Sequence, residues 1–451
     1  MPGPLWRAPG ARLFLAVLFV YSICPPFTSF DSYWAVPTAL SVIRHGGTAV
    51  DEYVPSAPPD ALYSLECVPA AGPPLHYGEA NGCPGGHWYN LYPLAVSIFA
   101  VPLIVLMKAA VAAVGPLVPR AGPLFSQPVV AAFFSGDFAV GHSLAELWSA
   151  GTFGAIAVWL QYRIARLFLP RRAAAWLALL FALGTSEWSV ASRNLFQHGL
   201  SVLLLSAALY LALLARESPS RIRFAGLPLA LSFTVRPWNA VSVAVLTVYV
   251  AIHYRRHLAA FLLWASPVAL LFFAYNLLVR HALLPLYMTR TMPVRLPALE
   301  GLAMHLFSPS RGLLVFTPIA VFSVAGMVLA WRLRWCWPLA PYLAAIVALH
   351  TALLAPFWPG HGYGPRFFAD VSHLFVLFLI PAILYWRNMR GPARTAMAAA
   401  FLAVAAWGVF AHGRGATSVA ANQWSALPVS VDQAMGRVWD WSDPQFLRGL
   451  R

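Results

Sequence analysis

The sequence predicts an all-α, polytopic membrane protein with about 11–13 transmembrane helices and a long first extracytoplasmic loop. Three observations support this prediction. Of the 451 residues, 60% are hydrophobic and 10% are charged, whereas about a quarter of a soluble domain is charged. Apolar runs of about 20 residues recur, and a helix satisfies its own backbone over such a length in lipid. Arginine-rich breaks alternate with arginine-poor ones, which is typical of alternating inside and outside loops.

The first element is an apolar run that ends near Phe30. Arg7 and Arg12 precede it, and they predict a cytoplasmic amino terminus. No small-residue cleavage site follows before Asp31, so we interpret the run as a retained helix rather than a cleaved signal peptide.

The second element is the polar stretch 31–90, which holds six of the fifteen acidic residues and one arginine, Arg44. The scarcity of arginine favours the outer face of the membrane. Residues 32–45 are expected to form an amphipathic helix along the membrane surface. If this loop is extracytoplasmic, a disulfide between Cys67 and Cys83 is expected, and the alternative is two unpaired thiols.

The remaining apolar runs predict the rest of a transmembrane domain over residues 1–412. They lie near 91–113, 144–168, 173–190, 196–215, 223–236, 239–253, 258–279, 312–331, 337–356, 371–386 and 395–412. Basic clusters mark the inside loops, near 163–172, 216–223, 255–256, 332–334 and 387–394. The region 114–143 is irregular, and loop parity favours a short or re-entrant segment near 127–142. The tail 413–451 is then extracytoplasmic.

The charge and composition also exclude some classes of function. The net charge is +15, but the basic groups form short clusters between apolar runs and follow no nucleic-acid-binding motif. We therefore predict no nucleic-acid partner. No His, Cys or Asp spacing matches a metal site, so neither a metal nor another cofactor is assigned.

A set of basic residues in the loops assigned to the outside breaks the positive-inside trend. An arginine at the edge of the apolar core is energetically costly unless it contacts a partner or a ligand. Guanidinium groups bind phosphate well. The alternative is that each arginine reaches lipid headgroups or pairs with Asp370 and its neighbours. The candidate phosphate-binding residues are Arg193, Arg236, Arg311, Arg366, His198 and His361.

Asp31 is the candidate catalytic residue. It directly follows the first helix at the edge of the apolar core. A carboxylate in that position can accept a proton from a hydroxyl that attacks a sugar carbon. The alternative is that Asp31 caps the helix expected at 32–45.

Ordered motifs along most of the chain give it a resemblance to a known family. They follow Asp31 and read HWYNLYP (87–93), GTSEW (184–188), VRP (235–237), YN (275–276), SPSRGL (308–313), WPGHGYGPR (358–366) and RVWDWSD (437–443). With the long first outer loop, they resemble a bacterial branch of the GT-C superfamily of membrane glycosyltransferases. Protein O-mannosyltransferases and lipid A aminoarabinose transferases are its named relatives.

The resemblance implies a polyprenyl-phosphate-linked sugar donor and a glycolipid, polysaccharide or protein acceptor. It implies inverting displacement, with Asp31 as base and Arg366 on the phosphate. The relatives often carry paired acids early in this loop, so Asp51 and Glu52 are alternative bases. Four further residues are candidates for sugar or acceptor binding, although aromatic residues at helix ends are also common interface anchors. They are Tyr89, Tyr92, Asn276 and Trp358.

The expected location is the bacterial cytoplasmic (inner) membrane, with the active site on the extracytoplasmic side and lipid around the protein. Two other classes stay open. A transporter or flippase of a lipid-linked sugar could use the same arginines without Asp31. A structural scaffold would leave the outer polar residues unexplained.

Overall fold

The computed structural model describes residues 9–80, 82–117, 125–289 and 295–450, so Arg7 lies outside the described residues. The chain is 70% helical and 3% strand, which agrees with the predicted all-α class. The helices are α1 (Pro9–Ser22), α2 (Ala35–His45), α3 (Leu94–Val114), α4 (Pro128–Ser135), α5 (His142–Ala165), α6 (Arg171–Gly184), α7 (Gln197–Leu214), α8 (Gly226–Val235), α9 (Ala240–His253), α10 (Leu258–Val279), α11 (Leu286–Thr289), α12 (Ala298–Phe307), α13 (Leu313–Phe316), α14 (Ala320–Arg332), α15 (Leu339–Leu354), α16 (Ser372–Arg387), α17 (Pro392–Thr417) and α18 (Val419–Gln423).

Six helical segments in the described parts of the chain are long and apolar enough to cross a membrane. They are Leu94–Val114, His142–Ala165, Gln197–Leu214, Arg255–Val279, Arg366–Arg387 and Pro392–Thr417. Shorter apolar helices are Gly10–Ser22, Pro237–His253, Ala298–Phe307, Ala320–Arg332 and Leu339–Leu354. The segment expected near 127–142 contains α4, which at eight residues is about 12 Å long and does not reach across a bilayer.

The main core surrounds α16, which is buried on every side from Ser372 to Ala382. A helix that is apolar all round is stable when other helices enclose it. Its closest packing is against α14, and α5 packs against α1, α6 and α7 in the same core.

The first loop contains a small sheet that the sequence analysis does not predict. Strands β1 (Leu65–Val68), β2 (Leu75–His76) and β3 (His87–Asn90) pair antiparallel in the order β2-β1-β3. A disulfide joins Cys67 of β1 to Cys83, with 5.6 Å between their Cα atoms. Glu66 of β1 forms a buried ion pair with Arg280, just after α10, so the sheet is anchored to the helical bundle.

Helix α2 differs from the surface helix expected at 32–45. It begins at Ala35, and all seven residues from Ala35 to Ser41 are buried. A helix lying on the membrane surface would expose one face, whereas α2 packs against α3 and α5. The cap at its start is Trp34, without a side-chain hydrogen bond, so Asp31 does not cap this helix.

The boundary expected at residue 412 falls inside α17, which continues to Thr417. His412 is fully buried there, with its two ring nitrogens 2.8 Å from the hydroxyls of Ser189 and Thr317. The tail, defined here as residues 418–450, folds back onto the bundle. Its apolar side chains pack with Met304 and Trp358 in a separate small core, and they are Trp424, Val431 and Val438.

Candidate functional site

One buried serine, Ser64, holds together the chain segments that surround Asp31. The hydroxyl of Ser64 donates to the Phe30 carbonyl at 3.0 Å, and the Ser64 carbonyl accepts from the Leu91 amide at 2.9 Å. Ser64 itself is fully buried. It therefore holds together the segment that follows α1, the start of β1 and the end of β3. Asp31, Tyr63 and Tyr92 are the neighbours of these three hydrogen-bonded positions. Helix α1 ends at Ser22, so Asp31 lies nine residues beyond the first helix and does not directly follow it.

Asp31 lies in a cluster of four side chains, here called the Asp31 cluster: Asp31, Tyr63, Tyr92 and Arg366. Both tyrosine hydroxyls donate to Asp31 Oδ1, that of Tyr92 at 2.7 Å. Arg366 Nη1 lies 3.7 Å from the other oxygen, Oδ2. The side chains of Asp31 and Arg366 are 22% and 15% exposed, so both are reachable from outside.

The two tyrosines act as fixed hydrogen-bond donors. Burial, and next to it the Asp31 carboxylate, raise the pKa of Tyr63 and of Tyr92 above the ordinary phenol value. Both hydroxyls therefore keep their protons at physiological pH. They occupy one oxygen of the Asp31 carboxylate, Oδ1, and the other oxygen, Oδ2, faces Arg366.

Arg236 occupies a break between two helices. Pro237 disfavours helical backbone in the residue before it, so α8 ends at Val235 and Arg236 is extended before α9 begins. Arg236 Nε pairs with Asp370 Oδ2 at 2.6 Å, and His198 Nδ1 lies 3.3 Å from the same carboxylate. All three side chains are buried. We call them the Asp370 cluster.

The two clusters adjoin one another. The guanidinium carbons of Arg366 and Arg236 lie 5.4 and 6.0 Å from the centre of the Phe367 ring. A second connection runs through Tyr287, whose ring packs 5.1 Å from Tyr92 and whose hydroxyl lies 3.5 Å from Gln197 Oε1. The same oxygen accepts from Arg236 at 3.3 Å. Thus Asp370 pairs with Arg236, and Arg366 stays available to Asp31.

Three predicted site residues lie against the tail instead. Arg311 is buried, and its terminal nitrogens donate to four oxygens of the protein, those of Ser310, Gln445, Gly360 and Ser425. The ring of His361 contacts Ser430 and Asp432, and Trp358 donates to Asp432 at 2.7 Å. Apart from the one to Ser310, the hydrogen bonds of Arg311, His361 and Trp358 are therefore made with the tail and the loop before it, and none is made with Asp31, Tyr63 or Tyr92.

The alternative bases have structural partners of their own. Asp51 binds the His87 ring at 2.9 Å and the Trp88 amide at 2.9 Å, which fixes β3. Glu52 is exposed and lies 3.4 Å from Arg44.

The remaining predicted residues are dispersed. Arg193 is buried and donates to the Pro25 carbonyl. Asn276 donates to the Phe272 carbonyl of its own helix at 2.8 Å. Tyr89 is in β3 opposite Glu66. Of the four candidate sugar-binding residues, Tyr92 is in the Asp31 cluster, as a partner of the carboxylate.

Sequence reasoning missed Tyr63, Tyr287 and Gln445. No local motif marks them, because each contacts the site through a residue distant in sequence. Tyr63 meets Asp31 only because Ser64 bonds to Phe30. In the ranges that the structure describes, no group of three His, Cys, Asp or Glu residues is arranged to hold a metal ion.

Comparisons of the chain with protein-family models, with curated proteins and with solved structures find no match. The assignment of function therefore depends on the geometry of the Asp31 cluster and on the resemblance of the sequence motifs.

Proposed function

We propose that the chain is a membrane glycosyltransferase. It moves a sugar from a polyprenyl-phosphate carrier to an acceptor hydroxyl of a glycolipid, a polysaccharide or a protein. The observation that supports it best is the meeting of a partly exposed carboxylate and a partly exposed guanidinium, Asp31 and Arg366, with Oδ2 free of the two tyrosine hydroxyls.

The proposed step is an inverting displacement. Asp31 Oδ2 accepts the proton of the acceptor hydroxyl while the acceptor oxygen bonds to the anomeric carbon. The bond from that carbon to the phosphate oxygen breaks, and its electron pair leaves with the polyprenyl phosphate. Arg366 stabilises the negative charge on the departing phosphate. The anomeric carbon must lie between base and leaving group, so donor binding has to part Arg366 from Asp31.

The proposed orientation has the Asp31 cluster on the extracytoplasmic side of a bacterial cytoplasmic membrane. Contacts between the basic turns support it. Arg163 donates to Tyr210 at 2.9 Å, and Arg216 contacts Cys336 at 3.4 Å. These contacts bring the basic ends of α5, α7 and α14 together, and clustered arginines at one end of a bundle are typical of the cytoplasmic side.

The experiment is a transfer assay with purified protein and a panel of synthetic polyprenyl-phosphate hexoses and pentoses. Wild type should transfer sugar, and Asp31→Asn should fold, bind donor and lose transfer by about a hundredfold or more. Asp60→Asn removes an exposed carboxylate of the same loop and should retain activity. Full transfer by Asp31→Asn would remove Asp31 from the mechanism.

A transporter or flippase of a lipid-linked sugar is the second candidate. Charged residues beside a broken helix are common in transporters, and the Asp370 cluster beside the Arg236 break matches that description. Such a protein has no need of Asp31. Movement of a fluorescent lipid-linked sugar across vesicles without any transfer, unchanged in Asp31→Asn, would favour this candidate.

A further inference from the structure

The chain segment that carries Arg366 is a glycine-rich loop, residues 360–365, with little regular structure of its own. Gly360 and Gly364 have positive φ angles of 56° and 54°, which favour glycine. Gly362 lies directly beneath the Arg366 side chain, because a Cβ there would be 2.6 Å from Arg366 Cδ. The position of Gly362 therefore determines where the guanidinium lies.

Two tail residues hold this loop through its backbone. Gln445 Nε2 donates to the Gly362 carbonyl at 2.9 Å, and Gln445 Oε1 accepts from the Gly364 amide at 3.0 Å. The Ser425 hydroxyl donates to the Gly362 carbonyl at 3.0 Å. A loop with so many glycines loses much conformational entropy on ordering, and these hydrogen bonds offset that cost.

Arg311 completes the arrangement from the other side. It donates to the Gly360 carbonyl, the Ser425 hydroxyl and Gln445 Oε1, each between 2.9 and 3.0 Å. Gln445 is fully buried and Arg311 is 1% exposed. Buried hydrogen-bond networks rigidify the segments that they contact.

We propose that Gln445, with Ser425 and Arg311, positions the glycine-rich loop so that Arg366 faces Asp31, which makes the tail part of the phosphate-binding site. These three are positioning residues, since they act through Gly362 and Arg366. The inference rests on the proposed function for the identity of the ligand, a polyprenyl phosphate.

The main test variant is Gln445→Met, which has a similar volume and cannot form the hydrogen bonds. Two quantities are measured on the full-length protein: amide hydrogen exchange of residues 360–366, and the affinity for farnesyl phosphate, a short polyprenyl phosphate. We expect faster exchange and roughly tenfold weaker binding, since buried loop groups left without their hydrogen-bond partners no longer hold Arg366 in place. Asn422→Ala, which loses two hydrogen bonds to carbonyls outside the loop, those of Gly415 and Ser418, should behave as wild type.

A double substitution separates positioning from general damage. In an Arg366→Ala background, Gln445→Met should weaken binding no further, because the hydrogen bonds of Gln445 to the loop act on the ligand only through Arg366. A further loss, or unchanged affinity in the single variant, would overturn the proposal. If Gln445→Met does not fold, Ser425→Ala makes the same comparison with a smaller change. A wild type that binds no farnesyl phosphate would refute the phosphate site, and with it the positioning role, while exchange at 360–366 would still report whether the tail holds the loop.

Discussion

The Asp31 carboxylate has two unequal oxygens. Oδ1 receives two phenolic hydroxyls, whereas Oδ2 faces Arg366 at 3.7 Å. A general base works with the oxygen that is not already occupied by donors. The tyrosines therefore orient the carboxylate, and in the proposed reaction Oδ2 is the atom that takes the proton.

Tyr63→Phe tests whether the two oxygens of Asp31 have these different roles. It removes one donor from Oδ1 and keeps the ring. Because Oδ1 loses one of its two donors, the carboxylate is held less firmly, and we expect sugar transfer to slow about fivefold, the effect of one hydrogen bond of about 1 kcal/mol. The pKa of the remaining phenol, Tyr92, is raised, so the alkaline limb of the pH–rate profile should not change. A transfer rate equal to that of wild type would mean that Tyr63 has only a packing role.

Arg366→Lys tests whether charge alone is sufficient. Lysine keeps the positive charge but lacks the planar fork that binds two phosphate oxygens at once. We expect the dissociation constant for the donor lipid to rise about fivefold to tenfold, consistent with loss of one hydrogen bond of about 1 kcal/mol. The control is Arg256→Lys, at an exposed arginine of a basic turn. Equal donor affinity in both variants would argue against bidentate binding by Arg366.

Sequence reasoning identified part of the candidate site at this scale. Asp31 and Arg366 stood out because charged groups at the ends of apolar runs need partners, and they contact each other. Arg311 stood out for the same reason. Its partners, however, are protein groups: the Gly360 carbonyl of the loop and the Ser425 and Gln445 side chains of the tail. A charged residue near the apolar core indicates that some partner is required. Only the folded structure shows whether that partner is a protein group or a site open to a ligand.

Among the elements, the first loop departs most from what the sequence predicts. Its strands have two to four residues, too short for an alternating pattern to stand out. The burial of α2 was equally hidden, because its partners α3 and α5 come later in the chain. The cysteine pair was easier to predict, since two cysteines in one outer loop suggest a disulfide without any knowledge of the sheet.

The disulfide should stabilise this loop measurably. A closure of 16 residues contributes about 3 kcal/mol in the chain-entropy description. We expect the Cys67→Ser/Cys83→Ser double variant to unfold at a lower temperature than wild type. Thermal denaturation in detergent measures the difference. Reductant should lower the midpoint of wild type and leave that of the double variant unchanged. Free thiols at both positions in protein from an oxidising compartment would contradict the pairing.

At the scale of the whole molecule, composition predicted the all-helical class, whereas the number of transmembrane helices stays a prediction. Apolar content and run length indicate burial or contact with lipid, so a bundle of helices could be predicted from them. The lengths of the individual helices could not, because prolines and charged residues interrupt several apolar runs. The runs near 223–236 and 239–253, for example, form helices α8 and α9, which have ten and fourteen residues, with Arg236 between them. In the described ranges, six segments have spanning length, and five shorter apolar helices accompany them.

The orientation of the bundle can be tested with two matched cysteine variants. Ser56→Cys lies in the first loop and Ser220→Cys in a basic turn, and both sites are exposed. The native free cysteines, Cys24 and Cys336, are buried. A membrane-impermeant thiol reagent should label Ser56→Cys in intact cells and Ser220→Cys only after permeabilisation. The reverse result would put the Asp31 cluster on the cytoplasmic side.

The contact between Asp31 and Arg366 also has a consequence for biosynthesis. Synthesis proceeds from the amino terminus, so Asp31 enters the membrane with the first helix, long before Arg366 is translated. The tail that holds the Arg366 loop follows later still. A nascent or prematurely terminated chain thus carries the carboxylate without its cationic partner. In the proposed glycosyltransferase, activity therefore appears only after the tail has been translated and has bound to the loop.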